Sequence, residues 1–293
     1  MAARFDPDRS FDTWGDAVPA SPVVLSVPHA GRAYPPAIAD LLRVPLPALL
    51  PLEDRHVDAV AHAARTTQTM LVQRTPRAWI DLNRAEDDRD PMIDEGAAPL
   101  ALPMRSVKVR SGLGLVPRRV AGAGDLWRRR LSASEVTARI VDDHRPYHQA
   151  LSAALMAAWR RFGIAILLDI HSMPPLGPPG SAPQVVLGDR FGRTAAKTLV
   201  RGVAGAVQEA GLTTAFNAPY AGGHILDAHA RPRIGIHGIQ LELDRGLYLD
   251  SAMDALGPGL DATARMLGRI VAVLEDAALG LAPPHSALPH AAE

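Results

Sequence analysis

The chain has 293 residues, 47% of them hydrophobic, and Lys+Arg equals Asp+Glu at 31, so its formal net charge is zero. That is enough apolar material for one large α/β domain or two small ones, and the charge balance gives no reason to expect nucleic acid or an anionic membrane as a partner. Cysteine is absent, which excludes disulfides and thiolate metal sites; the polar opening MAARFDPDRSFDTW lacks the apolar core of a signal peptide and no stretch approaches a membrane span, so a cytoplasmic protein is expected.

In chain order, PVVLSV (22–27) reads as a short buried strand. RHVDAVAHAAR (55–65) reads as a helix with Val57, Val60, Ala61 and Ala64 on one apolar face. Two further strands are expected at 70–74 and 78–82, then an acidic loop at 84–98 and a basic, Gly-rich stretch at 105–131 without a clear period. A long helix is predicted from Ser132 to Arg161. Ser132 and Glu135 are spaced as a capping box, Arg145-Pro146 interrupts the ladder because proline has no N–H to donate, and Gly163 ends the helix. Strands follow at 164–170 and 184–188, a helix at 192–210, a strand at 234–243, and helix over most of 251–278. Residues 1–20 and 280–293 are expected to be peripheral tails of a single domain spanning 1–293. Strands alternating with helices predict a mostly parallel α/β sheet covered on both faces, with a ligand beyond the carboxyl ends of the strands.

Those strand ends carry the chemistry. The first delivers His29, the one near 80 delivers Asp81-Leu82-Asn83-Arg84, the one near 168 delivers Asp169-Ile170-His171-Ser172, and the last carries Glu242, Asp244 and Arg245; Glu53-Asp54 stands just before the helix at 55. Two imidazoles, one carboxylate and an open position form the usual ligand set of a catalytic zinc, which suits amide or ester hydrolysis with a further free carboxylate as general base. Positions 169 and 171 point to the same face of a strand, so Asp169 is placed to orient the imidazole of His171.

Each residue also has a plainer reading. Asp169 and His171 could be a buried pair holding a loop, His29 a turn residue, Glu53-Asp54 a helix cap, and Asn83-Arg84 a surface turn, although a guanidinium also grips a carboxylate in bidentate fashion. Glu242 lies in an apolar run and needs a partner if buried. His144 and His148 are four apart on a helix, a metal-ligand spacing that a packed or solvated helix face also explains; His56, His62, His229, His285 and His290 read as structural or solvated. The basic stretch suits an anionic substrate. Ser26 or Ser172 as a nucleophile lacks the G-x-S-x-G elbow.

Taken in order, SVPHAG, EDRHVD, DLNR, PYHQAL, DIHS and PYAGGH…IQLELDRGLY resemble the N-formylglutamate amidohydrolase family over about residues 20 to 250. The resemblance implies a three-layer α/β/α fold with a mixed, mostly parallel sheet, similar to zinc carboxypeptidases and aspartoacylase. It implies zinc-dependent cleavage of a small-molecule N-acyl amino acid such as N-formylglutamate, with one Zn2+ per chain. On it, His29 and His171 match the imidazole ligands, and Asp54, with Glu53 as the alternative, matches the carboxylate ligand. Glu242 matches the general base. Asn83 and Arg84 match the pair that grips the substrate carboxylate, with Arg84 or Tyr220 also a candidate to stabilise the oxyanion. Tyr220, Gly222, Gly223 and His224 fall on the substrate loop. The loop APYAGGHILDAHARP departs from the GRFKGGYITR-like pattern of formylglutamate deformylases: the lysine is missing and a histidine stands in the loop. This leaves the acyl group and the amino acid open. A non-catalytic metal- or amino-acid-binding protein on the same fold is the other reading, and the oligomeric state is not indicated.

Overall fold

The computed structural model describes residues 9–98, 106–178 and 180–281. In chain order come β1 (Phe11–Trp14), β2 (Val23–Val27), α1 (Ala37–Leu41), α2 (Val57–Ala64), β3 (Thr69–Gln73), α3 (Val107–Arg110) and a two-stranded ribbon of β4 (Arg119–Val120) and β5 (Gly124–Asp125). Then follow α4 (Ala133–Arg139), a π turn (Ile140–His144), α5 (Arg145–Phe162), β6 (Ala165–Met173), β7 (Val185–Gly188), α6 (Lys197–Glu209), β8 (Thr214–Phe216), α7 (His224–His229), β9 (Ile236–Asp244) and α8 (Leu260–Leu281).

Seven strands form one sheet in the order β1-β3-β2-β6-β9-β7-β8. The four central strands are parallel; β1 is antiparallel to β3 at one edge, and β7 is antiparallel to β9 toward the other. Strand parity divides the core in two. Val23, Leu25, Val27, Ile166, Leu168, Ile170, Ile239, Leu241 and Leu243 face the layer holding α2, α6 and α8. Val24, Ala165 and Leu167 face the layer holding α4 and α5. Along α5 the buried positions Tyr147, Leu151, Leu155 and Ala158 make one stripe. The result is the expected three-layer α/β/α fold with a mixed, mostly parallel sheet.

The helix over 55–65 forms with its expected face buried: Val57, Val60 and Ala61 are fully covered. The capping box at Ser132 and Glu135 is present, and Gly163 closes α5 with φ of 72°. The proline at 146 leaves its mark as the π turn, where the Arg145 N–H reaches back to the Ile140 carbonyl. The strand expected at 78–82 does not form. Pro76 starts a turn closed by the Trp79 N–H, and the Asp81 N–H bonds the carbonyl of Leu115; the segment is buried by its apolar side chains but runs as successive turns, because β1 already occupies the edge beside β3. Residues 11–14, expected in a tail, form that edge strand, with Phe11 buried. Of the tail expected at 280–293, residues 280 and 281 end α8 and the rest lies outside the described residues. Among the described residues no helix is long and apolar enough to cross a membrane.

After β2 the chain goes to β3 on one side, while β6 pairs with β2 on the other. The connections leave on opposite faces and open a crevice at the carboxyl ends of β2 and β6, the place where α/β sheets bind ligands.

Candidate active site

Strand parity loads that crevice with polar groups. Ser26, Asp169, His171, Gln240 and Glu242 occupy the alternating positions opposite the Ile and Leu row, and the register sets Ser26 beside Asp169, Asp169 beside Gln240, and His171 beside Glu242. All five are buried. His29 arrives on the loop leaving β2. That loop closes tightly because Gly31 lies against Thr75, where a Cβ would come within 2.1 Å of the carbonyl oxygen. Asp54 precedes α2, and its backbone N–H bonds the His29 carbonyl at 2.9 Å, tying the two loops together.

Three donor atoms converge. His171 Nδ1 lies 3.1 Å from His29 Nδ1 and 3.0 Å from Asp54 Oδ2, and His29 Nδ1 lies 3.6 Å from Asp54 Oδ2. A tetrahedral zinc with ligands at about 2.0–2.1 Å needs its donors about 3.3–3.4 Å apart, so these three side chains fit a divalent ion as they stand. The outer nitrogens are braced as metal-binding imidazoles are. His29 Nε2 contacts Asp81 Oδ1 at 2.7 Å, and His171 Nε2 contacts Asp169 Oδ2 at 2.9 Å. Asp169 is fixed in turn by the Ser26 hydroxyl at 2.7 Å, and Asp81 by Arg77 Nε at 2.9 Å.

The electrostatics suit a cation. Burial pushes the Asp54 carboxyl up, but His171 and His29 outweigh it and hold the group well below the usual carboxylate range. Burial likewise raises Asp81, while Arg77, Arg84 and His29 pull it well below. Burial works against charge on His171, yet Asp169 and Asp54 raise it well above an ordinary imidazole. Glu242 is different: burial pushes it up to about 7, with Asp54 adding and His171 opposing. Gln240 Nε2 donates to Glu242 Oε1 at 2.7 Å and fixes its orientation.

A cavity of about 640 Å³ opens over these groups, lined by His29, Asp54, His171 and Glu242 and also by Asn83, Arg84, Tyr220, Gly222 and Gly223. Glu53 turns away. Its carboxylate accepts from the Tyr34 hydroxyl and from Arg55 Nη1, so of the two neighbouring acids Asp54 alone reaches the donor cluster. Asn83 is engaged by the protein: its Nδ2 donates to Gln240 at 3.2 Å and its Oδ1 accepts from the Ile225 N–H at 2.9 Å. Gly223 packs so closely on it that a Cβ would meet Asn83 Oδ1 at 2.4 Å. Arg84 is braced by the carbonyls of Leu113 and Asn83. His224 does not line the cavity; it packs against His144 and His148 on the far side of the Asn83 turn. Neither candidate serine meets an imidazole: Ser26 donates to Asp169, and Ser172 accepts from Arg245.

Several residues gained no role from the sequence. Asp81 sits beside Asn83-Arg84, but its link to His29 spans fifty-two positions. Arg245 Nη2 reaches the Glu53 carbonyl and lies 3.4 Å from Asp54 Oδ1, steadying the carboxylate oxygen that does not face the cluster. Lys108, from the basic stretch, lines the cavity and makes no ion pair among the described residues. Gln240 carried a signal that could have been read, since it stands two positions before Glu242 in the same apolar run.

Known proteins carry the same arrangement of chain. A model of the N-formylglutamate amidohydrolase family matches residues 21–249. N-formylglutamate deformylase from Pseudomonas putida is 30% identical over 236 residues, covering 78% of this chain and 82% of the relative; that from Pseudomonas aeruginosa is 27% identical over the same length. The crystal structure of N-formylglutamate amidohydrolase from Ralstonia eutropha JMP134 superposes with a TM-score of 0.81 at 34% identity, covering 93% of this chain and 97% of that one. A protein from Agrobacterium tumefaciens, at 19% identity and a TM-score of 0.63, shares the fold. The matched span runs from β2 past the strand that carries Glu242, so it takes in every residue of the crevice, and the chain belongs to the N-formylglutamate amidohydrolase family as a hydrolase acting on an amide bond.

Proposed function

We propose that this chain removes the formyl group from an N-formyl amino acid, with N-formylglutamate as the leading substrate, and that a zinc ion held by His29, Asp54 and His171 takes part. The observation that carries the reading is the convergence of His29 Nδ1, His171 Nδ1 and Asp54 Oδ2 at 3.0–3.6 Å, matching the spacing a tetrahedral ion requires. The relatives named as N-formylglutamate deformylases support the substrate.

When bound, zinc would supply a Lewis acid for the formyl carbonyl and lower the pKa of the attacking water. Glu242 is the base. Its carboxylate takes the proton released as water adds to the formyl carbon, holds it at an oxygen whose affinity burial has raised to about 7, and returns it to the departing amine. Gln240 keeps that carboxylate aimed while it changes charge. Tyr220, whose phenol burial raises and keeps protonated, lines the cavity and is positioned to donate to the developing oxyanion.

A formylglutamate molecule brings two carboxylates, and the cavity offers cations for them. Arg77 and Arg245 already serve Asp81 and Asp54. Arg84 has no acid nearer than Asp81 at 3.7 Å, and Lys108 adds a second charge from α3. Arg84 takes the α-carboxylate and Lys108 the side-chain carboxylate; the lysine missing from the 218–224 loop is thereby replaced from another part of the chain. Amine release from a panel of N-formyl, N-acetyl and N-succinyl amino acids tests the reading. Fastest turnover of N-formylglutamate is expected, and preference for an acetyl or succinyl substrate would overturn the assignment of the acyl group.

A further inference from the structure

We propose that His144, His148 and His224 form a second divalent transition-metal site, distinct from the one at His29, Asp54 and His171, which clamps the π turn and the start of α5 to the first residue of α7. One ring nitrogen from each of the three lies within 4.8 Å of the others. His229 adjoins them, stacked on His148 with ring centroids 5.1 Å apart.

The tautomers are set for ligation. His144 Nε2 meets the Arg84 carbonyl at 2.8 Å and His148 Nε2 meets the Leu82 carbonyl at 2.9 Å. A carbonyl only accepts, so both rings carry their proton on Nε2 and keep Nδ1 as a lone pair, bare on His144 and engaged by His229 on His148. This bracing of the outer nitrogen by a carbonyl is the habit of metal-bound histidine. Burial also holds both rings below the ordinary imidazole pKa.

His144 Nδ1 is the second, independent pointer. The residue is 2% exposed, and this nitrogen has no hydrogen-bond partner among the described residues. A buried polar atom left unmatched is costly, and stacking against neighbouring rings does not repay it. The π turn at 140–144 is what swings His144 into this position, and such turns recur at functional sites. Glu86 Oε1 stands 4.0 Å from His144 Nδ1, with its carboxylate paired to Arg145.

Closing the set onto one ion requires at most about 1.5 Å of movement toward the spacing of tetrahedral ligands. His224 can provide it, since it is half-buried at the first residue of α7 and its side chain makes no hydrogen bond among the described residues. His148 Nδ1 now accepts from His229 Nε2 at 2.8 Å; metal binding replaces that contact. Imidazole ligands favour zinc, nickel or copper over magnesium or calcium. The site is structural for the neighbouring reaction, because its bracing carbonyls belong to Leu82 and Arg84, whose turn forms a wall of the active cavity.

Zinc uptake tests this on chelator-stripped, full-length protein, titrated calorimetrically with Zn2+ alone and checked by elemental analysis after dialysis. Wild type is expected to retain two equivalents, His224→Ala one and His171→Ala one. His144→Gln, which keeps a donor for the Arg84 carbonyl, is expected to retain one and guards against loss of fold in any single variant. One equivalent in wild type that survives in His224→Ala and disappears in His171→Ala would overturn the second site while leaving the first. Two equivalents persisting in both His224→Ala and His144→Gln would also overturn it.

Discussion

His171 on β6 and Glu242 on β9 are direct register partners in the parallel ladder at the centre of the sheet. Their side chains therefore leave adjacent strands on the same face, one toward the donor cluster and the other toward the cavity. On the proposed function this arrangement would separate binding from proton transfer: His171 belongs to the set that fits an ion, and Glu242, held by Gln240, would be the base.

Glu242→Gln tests that separation. The amide keeps the volume but cannot take a proton, so turnover should fall about 10²–10⁴-fold, the usual worth of a general base. Zinc content should stay at the wild-type value. Loss of metal together with activity would place Glu242 among the ligands.

The bracing carboxylates give a graded prediction. Asp169→Asn keeps a hydrogen bond to His171 but removes the charge behind it, so zinc affinity at the active centre should fall about 10–100-fold. Competition with a chromophoric chelator reads this directly. Asp81→Asn should act similarly through His29, with added instability because Arg77 loses its buried partner. Affinities equal to wild type would show the two carboxylates to be packing groups only.

The pH profile follows from Glu242. A base works only when ionised, so kcat/KM should fall as pH drops through its pKa. Burial lifts that value to about 7, and a dication at the proposed site would draw it back by favouring the carboxylate. The acid limb should thus lie between the ordinary glutamate value of about 4.3 and about 7. A profile flat down to the ordinary glutamate range would remove Glu242 from the base role.

Lys108 is the specificity prediction. Lys108→Ala should raise KM for N-formylglutamate about tenfold, the scale of one charge-assisted hydrogen bond, with little change in kcat. N-formylleucine, which has no side-chain carboxylate, should be unaffected. Equal effects on both substrates would make Lys108 a structural residue.

Much of this architecture was legible in the sequence for simple reasons. The helix read at 55–65, which forms at 57–64, and the capping box at Ser132 depend on local spacing. Asp169 and His171 share a face because strand period is two, and that too was visible. What escaped depends on distant partners. The segment 78–82 has strand composition, but Pro76 and the bond to Leu115 turn it into loops. Asp81 reaches His29 only because those loops fold over the β2 end. His224 was read as a substrate-loop residue, yet Gly223 packs on Asn83 and directs the next side chain to the other side of that turn. The spacing of His144 and His148 hinted at a metal; no local pattern could add His224, which joins them from eighty residues away.

Chelation and reconstitution of N-formylglutamate turnover, measured in parallel on wild type and His171→Ala, tests the account most directly. Wild type should lose turnover when stripped and regain it on adding zinc, while His171→Ala should stay inactive at the same zinc concentration with its fold intact. Full turnover by stripped wild-type protein, or by His171→Ala, would contradict the account.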